Sequence, residues 1–340
     1  MYRVAGYSYI GLRKKTNQDS CCAEVAMTPY GDTALLAVCD GVGGLSAGEM
    51  ASCSVIRWLE RWFETSYPSL MESLHENVDA LFDHVQLDWE TGLLQLNAAL
   101  RTYGRTTGNS LGTTFTAILF FQGRYVIGHV GDCRVYRFFN GSEMEILTDD
   151  QTWVAREVAR GNISPEQARS HPKKNVILQS VGTQTELQPV FTRGDSFAGD
   201  LYMVCCDGFR NELFDDELIG AFGGLGTASE KELYAACEAL ADLAMSRNEA
   251  DNITAVAATF QPGTDYAFSH QNPASVTSVM NPITVRVEEI TPEEVEVTTS
   301  LEPLTEETIA RARAEAQAAS AHSDLDTFLD VTTVLGEDGE

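Results

Sequence analysis

The sequence predicts an α+β fold: an antiparallel sheet core with helices packed outside it. Three observations carry this. Apolar, β-branched runs recur at 34–39, 113–121, 124–130, 201–206 and 253–260. Gly123 splits TTFTAILFFQGRYVIGHV, and Asn140-Gly141 joins CRVYRFF to EMEILT; connections this short make hairpins, not the crossovers of a parallel pair. Helical periodicity occupies other stretches, so helices and strands are segregated along the chain.

In chain order, the run Ala34 to Cys39 ends abruptly on Asp40 and glycines. After Gly48, Val55, Ile56, Leu59, Trp62 and Phe63 recur at helical spacing, and residues 69–103 continue with Leu70, Leu74, Val78, Leu81, Val85, Leu93, Leu96 and Leu100. The two hairpins follow. LYMVCCDGF at 201–209 repeats the construction of an apolar run that stops on an acid, and a helix is expected from Lys231 to Arg247. The last run opens from EADNITAV. No internal repeat is visible.

A chain of 340 residues, 44% hydrophobic, can bury one core of ~250 residues and carry an appendage. The first 261 residues read as one compact domain. Residues 262–340 differ: sixteen acids stand against three bases, and Pro273, Pro282, Pro292 and Pro303 punctuate the stretch. That composition favours a solvated, flexible tail, with one helix expected over 304–321, capped by Thr305 or Thr308. The final LDTFLDVTTVLGEDGE holds a short apolar patch; a solvated tail is the plainer reading, and a docking motif for a tail-binding partner the alternative. Thr298, Thr299, Thr332 and Thr333 lie in acidic surroundings and are expected phosphorylation sites if a kinase acts on the tail.

The net charge of −27 repels nucleic acid and anionic membrane and attracts divalent cations to any carboxylate cluster. No apolar run reaches the ~20 residues of a membrane span, and the start MYRVAGYSYIG has no signal-peptide core. The eight cysteines show no CxxC spacing and sit mostly in strand-like runs as small hydrophobes. These points together predict a cytoplasmic protein.

Hard cations such as Mg²⁺ and Mn²⁺ take oxygen ligands, usually a few carboxylates with retained water. The sequence offers Asp40, Asp132 in VGDCR, Asp207, and Asp251 in EADNITAV at or near strand ends, with Asp19 closing RKKTNQD. Taken singly, each reads as ordinary turn chemistry; their joint occurrence points to one site. Two metals held there would activate water and neutralise a phosphoryl group, and a cation near residue 14 would hold the phosphate.

The ordered set LRKKTNQDS, AVCDGVGGLSAGEMAS, SLGTTFTAILF, GHVGDCRVYRF, LTDDQ, CCDGF and ADNITAV resembles the metal-dependent PP2C (PPM) family of protein Ser/Thr phosphatases in its bacterial form. Single motifs are weak, but the series in family order over residues 5–260 is specific. The resemblance implies a four-layer α–β–β–α sandwich of two antiparallel sheets flanked by helices. It also implies a binuclear Mn²⁺ or Mg²⁺ centre and in-line attack by activated water on phosphoserine or phosphothreonine, without a phosphoenzyme. By position, Asp40 would bridge two metals and the Gly41 carbonyl would serve one of them, with Asp19 nearby. Asp207 and Asp251 would complete the other, and Asp132 would hold a third ion shared with Asp207. The catalytic set is then Asp40, Asp207 and Asp251. Residues 153–179 resemble the flap beside the active site. The implied partners are phosphorylated proteins and a cognate Ser/Thr kinase.

Several positions depart from the family pattern. The phosphate-binding Arg falls on Lys14, with Arg13 one residue earlier, and either could serve. Tyr9, Val42, Cys133, Gln151 and Asn211 replace a family Asp, His, Ser, His and Asp; none of these is a core metal ligand. GVGGLSAG superficially mimics a dinucleotide loop, but Ser46 stands where GxGxxG needs Gly, and a helix follows where a strand is required. The remaining alternative is a phosphatase-like module that binds without turnover. His129 is expected to pack beside the site rather than bind metal. Trp58, Trp62 and Trp89 fit helix packing.

Overall fold

The computed structural model describes residues 2–42, 47–260, 283–284 and 289–290. All of them fall in one of the two units into which the chain divides, Met1–Ile290. The expected helix over 304–321 and the tail threonines lie outside the described residues.

Strands β1 (Tyr2–Tyr9), β2 (Asp19–Thr28) and β3 (Gly31–Asp40) lead into helices α1 (Gly48–Thr65), α2 (Tyr67–Leu74) and α3 (Val78–Thr107). Then come β4 (Phe115–Phe121), β5 (Arg124–Val130), β6 (Arg134–Phe139) and β7 (Glu143–Ile146), followed by α4 (Trp153–Ala159) and α5 (Pro165–Arg169). The unit closes with β8 (Val190–Asp195), β9 (Leu201–Cys205), α6 (Asp207–Arg210), α7 (Asp215–Phe222), α8 (Glu230–Ser246) and β10 (Ile253–Phe260), then the two-residue strands β11 (Ile283–Thr284) and β12 (Glu289–Ile290). One sheet runs β12-β1-β10-β9-β6-β7 and the other β11-β2-β3-β4-β5-β8. The pairings are antiparallel, as the predicted sandwich of two antiparallel sheets expects, apart from the two-residue β12, which lies parallel to β1.

The layers follow from side-chain alternation. In β3, Leu36 and Val38 face Ile118, Phe120, Val204 and Val256 in the core between the sheets. Leu35, Ala37 and Cys39 face the opposite way, against Val55, Leu59, Phe63 and Trp89 of α1 and α3. Leu233, Cys237 and Leu240 of α8 cover the outer face of the first sheet. A strand buried on both faces reads as a continuous apolar run rather than an alternating one, which is why residues 34–39 were legible. The two hairpin turns use left-handed backbone, with φ of 48° and 73° at Gln122 and Gly123 and 51° and 76° at Asn140 and Gly141, the pairing that matches strand twist.

Strands β1, β2 and β8 were not foreseen. Edge strand β8 is mostly exposed or half-exposed and so lacks an apolar signal, while β2 mixes Cys21, Cys22 and Glu24 into its buried run. No helix among the described residues is long and apolar enough to cross a membrane. All eight cysteines are free thiols.

Candidate metal centre

Strand pairing brings the acids together. The last register pair of β2 and β3 sets Asp19 opposite Asp40. In the other sheet β9 ends at Cys205 beside the start of β10, where Cys205 pairs with Ala255; Asp207 follows the first strand and Asp251 precedes the second. Asp132 lies in the turn that carries the chain from β5 in one sheet to β6 in the other. Five aspartates from five segments thus lie at one end of the sandwich.

Backbone hydrogen bonds fix them. Asp40 N–H donates to Thr114 Oγ1 at 2.8 Å, and the Asp40 carbonyl accepts from Thr114 N–H at 2.8 Å and from Thr113 Oγ1 at 2.9 Å. Cys133, in place of the family Ser, lies 3.2 Å from Thr114 Oγ1 and keeps this support. Gly41 acts by close approach, not by a left-handed turn: a Cβ there would stand 2.5 Å from the Gln18 carbonyl and 2.7 Å from Gly48. Gln151, in place of the family His, clasps the turn before Asp132: its N–H donates to the Gly131 carbonyl at 2.8 Å and its Oε1 accepts from Gly131 N–H at 2.9 Å. Asn211 Nδ2 donates to Asp207 Oδ2 at 3.2 Å. His129 is buried, its Nε2 donating to the Asp149 carbonyl at 3.1 Å and its Nδ1 2.9 Å from Thr116 Oγ1.

Sequence reasoning missed Asn252. Its Oδ1 accepts from Gln18 N–H at 3.0 Å, and its Nδ2 donates to the carbonyls of Ile10 at 2.8 Å and Thr16 at 3.2 Å. One buried amide therefore ties the loop between β1 and β2, with Arg13 and Lys14 on it, to the strand beside Asp251. The signal was present in the Asp-Asn pair but was assigned to loop chemistry. Cys206 was also missed as a neighbour of the site: its sulfur and carboxylate oxygens of Asp19 and Asp40 lie within 4.8 Å of one another.

The electrostatics mark the cluster as short of positive charge. Burial, followed by repulsion from Asp19, Asp207, Asp132 and Asp251, pushes the Asp40 carboxyl well above its usual range. Burial first, with like charge added, lifts Asp19 and Asp132 to about 7. Neither oxygen of the buried Asp19 carboxylate has a hydrogen-bond partner at normal distance, although Thr254 and Cys206 stand near enough to pull its proton affinity down against the burial; native proteins rarely leave such an arrangement unexplained. The structure separates the two candidate cations. Lys14 Nζ lies 2.5 Å from Asp251 Oδ1. Burial opposes the Lys14 charge, but Asp251, Asp40 and Asp19 outweigh it and raise the ammonium above its ordinary value. Arg13 is exposed. One lysine does not balance five acids, and a donor set of carboxylates and a backbone carbonyl is the kind hard divalent ions take. The residues present fit such ions.

Comparison with known proteins agrees with this geometry. A family model described as protein phosphatase 2C matches residues 10–246. The chain is 31% identical to the serine/threonine protein phosphatase PstP of Mycobacterium tuberculosis over 287 residues, covering 80% of this chain and 47% of that protein. It therefore spans about half the length of the first curated relatives it matches. It is 27% identical to the protein phosphatase PhpP of Streptococcus pneumoniae, over 72% of this chain and 92% of that protein. Among solved structures, the Streptococcus agalactiae serine/threonine phosphatase superposes with a TM-score of 0.64 at 27% identity, covering 77% of this chain and all of that one. The PstP catalytic domain in complex with two manganese ions gives 0.56 at 29% identity, over 77% and 99%. By motif order, sheet architecture and family match, the chain belongs to the protein phosphatase 2C family.

Proposed function

We propose that the chain is a protein serine/threonine phosphatase that hydrolyses phosphoserine and phosphothreonine esters at a centre for two Mn²⁺ or Mg²⁺ ions. The observation that carries this is the convergence of Asp19, Asp40, Asp132, Asp207 and Asp251, with the buried Asp19 carboxylate unpartnered. Asp40 would hold both ions, the Gly41 carbonyl and Asp19 would serve one side, Asp207 and Asp251 the other, and Asp132 with Asp207 a third ion. Bound there, the ions would supply a water activated for attack and neutralise charge on the phosphoryl group.

The chain's own residues set the rest. Lys14 is the cation that faces the acids, and it would hold the phosphate oxygens as a point charge. Cys206 is no nucleophile: it is fully buried, and burial with the Asp19 and Asp40 charges pushes its thiol well up. Direct attack by water in line, with no phosphoenzyme, is the route the family resemblance implies. Val42 stands where many eukaryotic members of the family have His, so the leaving alcohol would take its proton from water. The segment 153–179, with α4 and α5, would act as the flap beside bound substrate. The relatives' names support phosphoproteins as substrates, and an enzyme of this kind would act opposite a Ser/Thr kinase. The free thiols support a cytoplasmic site of action.

The test is hydrolysis of p-nitrophenyl phosphate and of a phosphothreonine peptide as Mn²⁺ is added. Turnover that depends on the ion is expected. Folded, Mn²⁺-loaded protein without turnover would reduce the chain to a phosphoprotein-binding module.

A further inference from the structure

A cavity of about 310 Å³ opens where α3 ends, lined by Leu100, Arg101, Gly104, Arg105, Leu111 and Gly182 among others. Its position ties it to the acid cluster through the backbone. Leu111 and Gly182 lie next to Gly112 and Val181; the Gly112 carbonyl accepts from Val42 N–H at 2.9 Å, and Val181 pairs with Thr113, which pairs in turn with Gly41. The cavity wall is therefore two chain steps and one cross-strand step, at most ~13 Å, from the backbone that holds Asp40 and Gly41.

The cavity gathers positive charge in an acidic chain. Acids outnumber bases by 50 to 23, and several arginines sit on carboxylates: Arg124 on Asp79, Arg134 on Asp150, Arg137 on Asp200, Arg193 on Asp83 and Arg247 on Glu217. Arg3, Arg13, Arg57, Arg61 and Arg169 make no ion pair among the described residues, but none of them lines the cavity. Arg101 and Arg105, one helical turn apart on α3, make no ion pair among the described residues. Arg101 makes one long contact, 3.4 Å, to Thr185 Oγ1. Two guanidinium groups on one concave surface, neither tied to an acid among the described residues, have the chemistry to receive an anion from outside the chain.

We propose that this cavity is an anion subsite taking a second phosphate or a carboxylate of the substrate chain while the reacting phosphate lies at the acid cluster. The proposal rests on the phosphatase reading above. It makes the preferred substrate a segment that is doubly phosphorylated or acidic near the reacting residue, despite the net negative charge of the enzyme.

The test uses the full chain loaded with Mn²⁺ and phosphothreonine peptides in a neutral frame. Each carries a glutamate or a non-hydrolysable phosphonate one to six residues to either side, or neither. At one or two spacings the added anion is expected to lower KM about tenfold, the worth of a charge-assisted contact. In Arg101→Gln/Arg105→Gln that ratio returns to about one, while turnover of p-nitrophenyl phosphate is unchanged. A ratio near one for the wild type at every spacing, or one that survives the double substitution, overturns the subsite, even if inorganic phosphate alone binds there. Absence of p-nitrophenyl phosphate turnover would instead defeat the phosphatase reading. Fluorescence anisotropy with the same peptides then decides the subsite by affinity, with the same ratios expected and the same flat result overturning it.

Discussion

Asp132 and Asp150 flank the β6–β7 hairpin, and both are largely removed from water, yet they are opposites. Asp150 is fully answered: Arg134 donates to its two oxygens at 2.7 and 2.8 Å, and Arg210 adds a third contact at 3.3 Å. Burial works against its charge, but these guanidinium groups hold its carboxyl below the usual range. Asp132 is pushed up to about 7 by burial and then by Asp207, which the more distant pull of the same Arg210 and Arg134 does not offset, and burial with like charge raises Asp40 and Asp19 as well. The same residue type at similar depth is structural where its charge is met inside the fold. Where its charge is left unmet, it is a proposed metal ligand.

The largest expected effect is on turnover. Asp40→Asn and Asp207→Asn should each lower Mn²⁺-dependent phosphate release by about a thousandfold or more, ~4 kcal/mol on the barrier. In chelator, Asp40→Asn should nevertheless melt higher than wild type, because one of several repelling charges is gone. Asp150→Asn should do the reverse, destabilising the fold by about 2–3 kcal/mol in denaturant unfolding as two half-buried guanidinium groups lose their charged partner.

The comparison also fixes a sign with pH. Asp19 and Asp132 bind protons more tightly folded, at about 7, than in an unfolded chain, at ~3.9. Between those values the folded state holds more protons, so the stability these groups contribute is lost as pH rises from about 4 through 7. Thermal unfolding of chelated protein across that range should show the decline, and saturating Mn²⁺ should abolish or reverse it. Asp150 contributes with the opposite slope, its stability being lost as pH falls below the carboxylate range.

A smaller effect separates the two loop cations. Lys14→Met should raise KM for p-nitrophenyl phosphate about tenfold, ~1.4 kcal/mol, whereas Arg13→Met should stay within about twofold. Equal effects would contradict the placement of Lys14 on Asp251.

The sequence made legible what burial and order write into it. Strands buried on both faces, such as β3 and β4, stand out as apolar runs, and the strand-end aspartates announce themselves by where those runs stop. Edge strand β8 could not be read, because an exposed strand has no hydrophobic signature. Nor could the choice between Arg13 and Lys14, since it depends on how Asn252 anchors their loop across 234 to 242 residues of chain. The arginine cavity joins the end of α3 to Gly182 and Thr183, beyond α5, a pairing that no local pattern encodes.

The central claim is that the unanswered carboxylates are a metal centre, and calorimetric titration of Mn²⁺ tests it most directly. Wild type should bind at least two ions, and Asp40→Asn, shown folded by circular dichroism, should lose them both. Undiminished Mn²⁺ binding by folded Asp40→Asn, or no binding by the wild type, would contradict it.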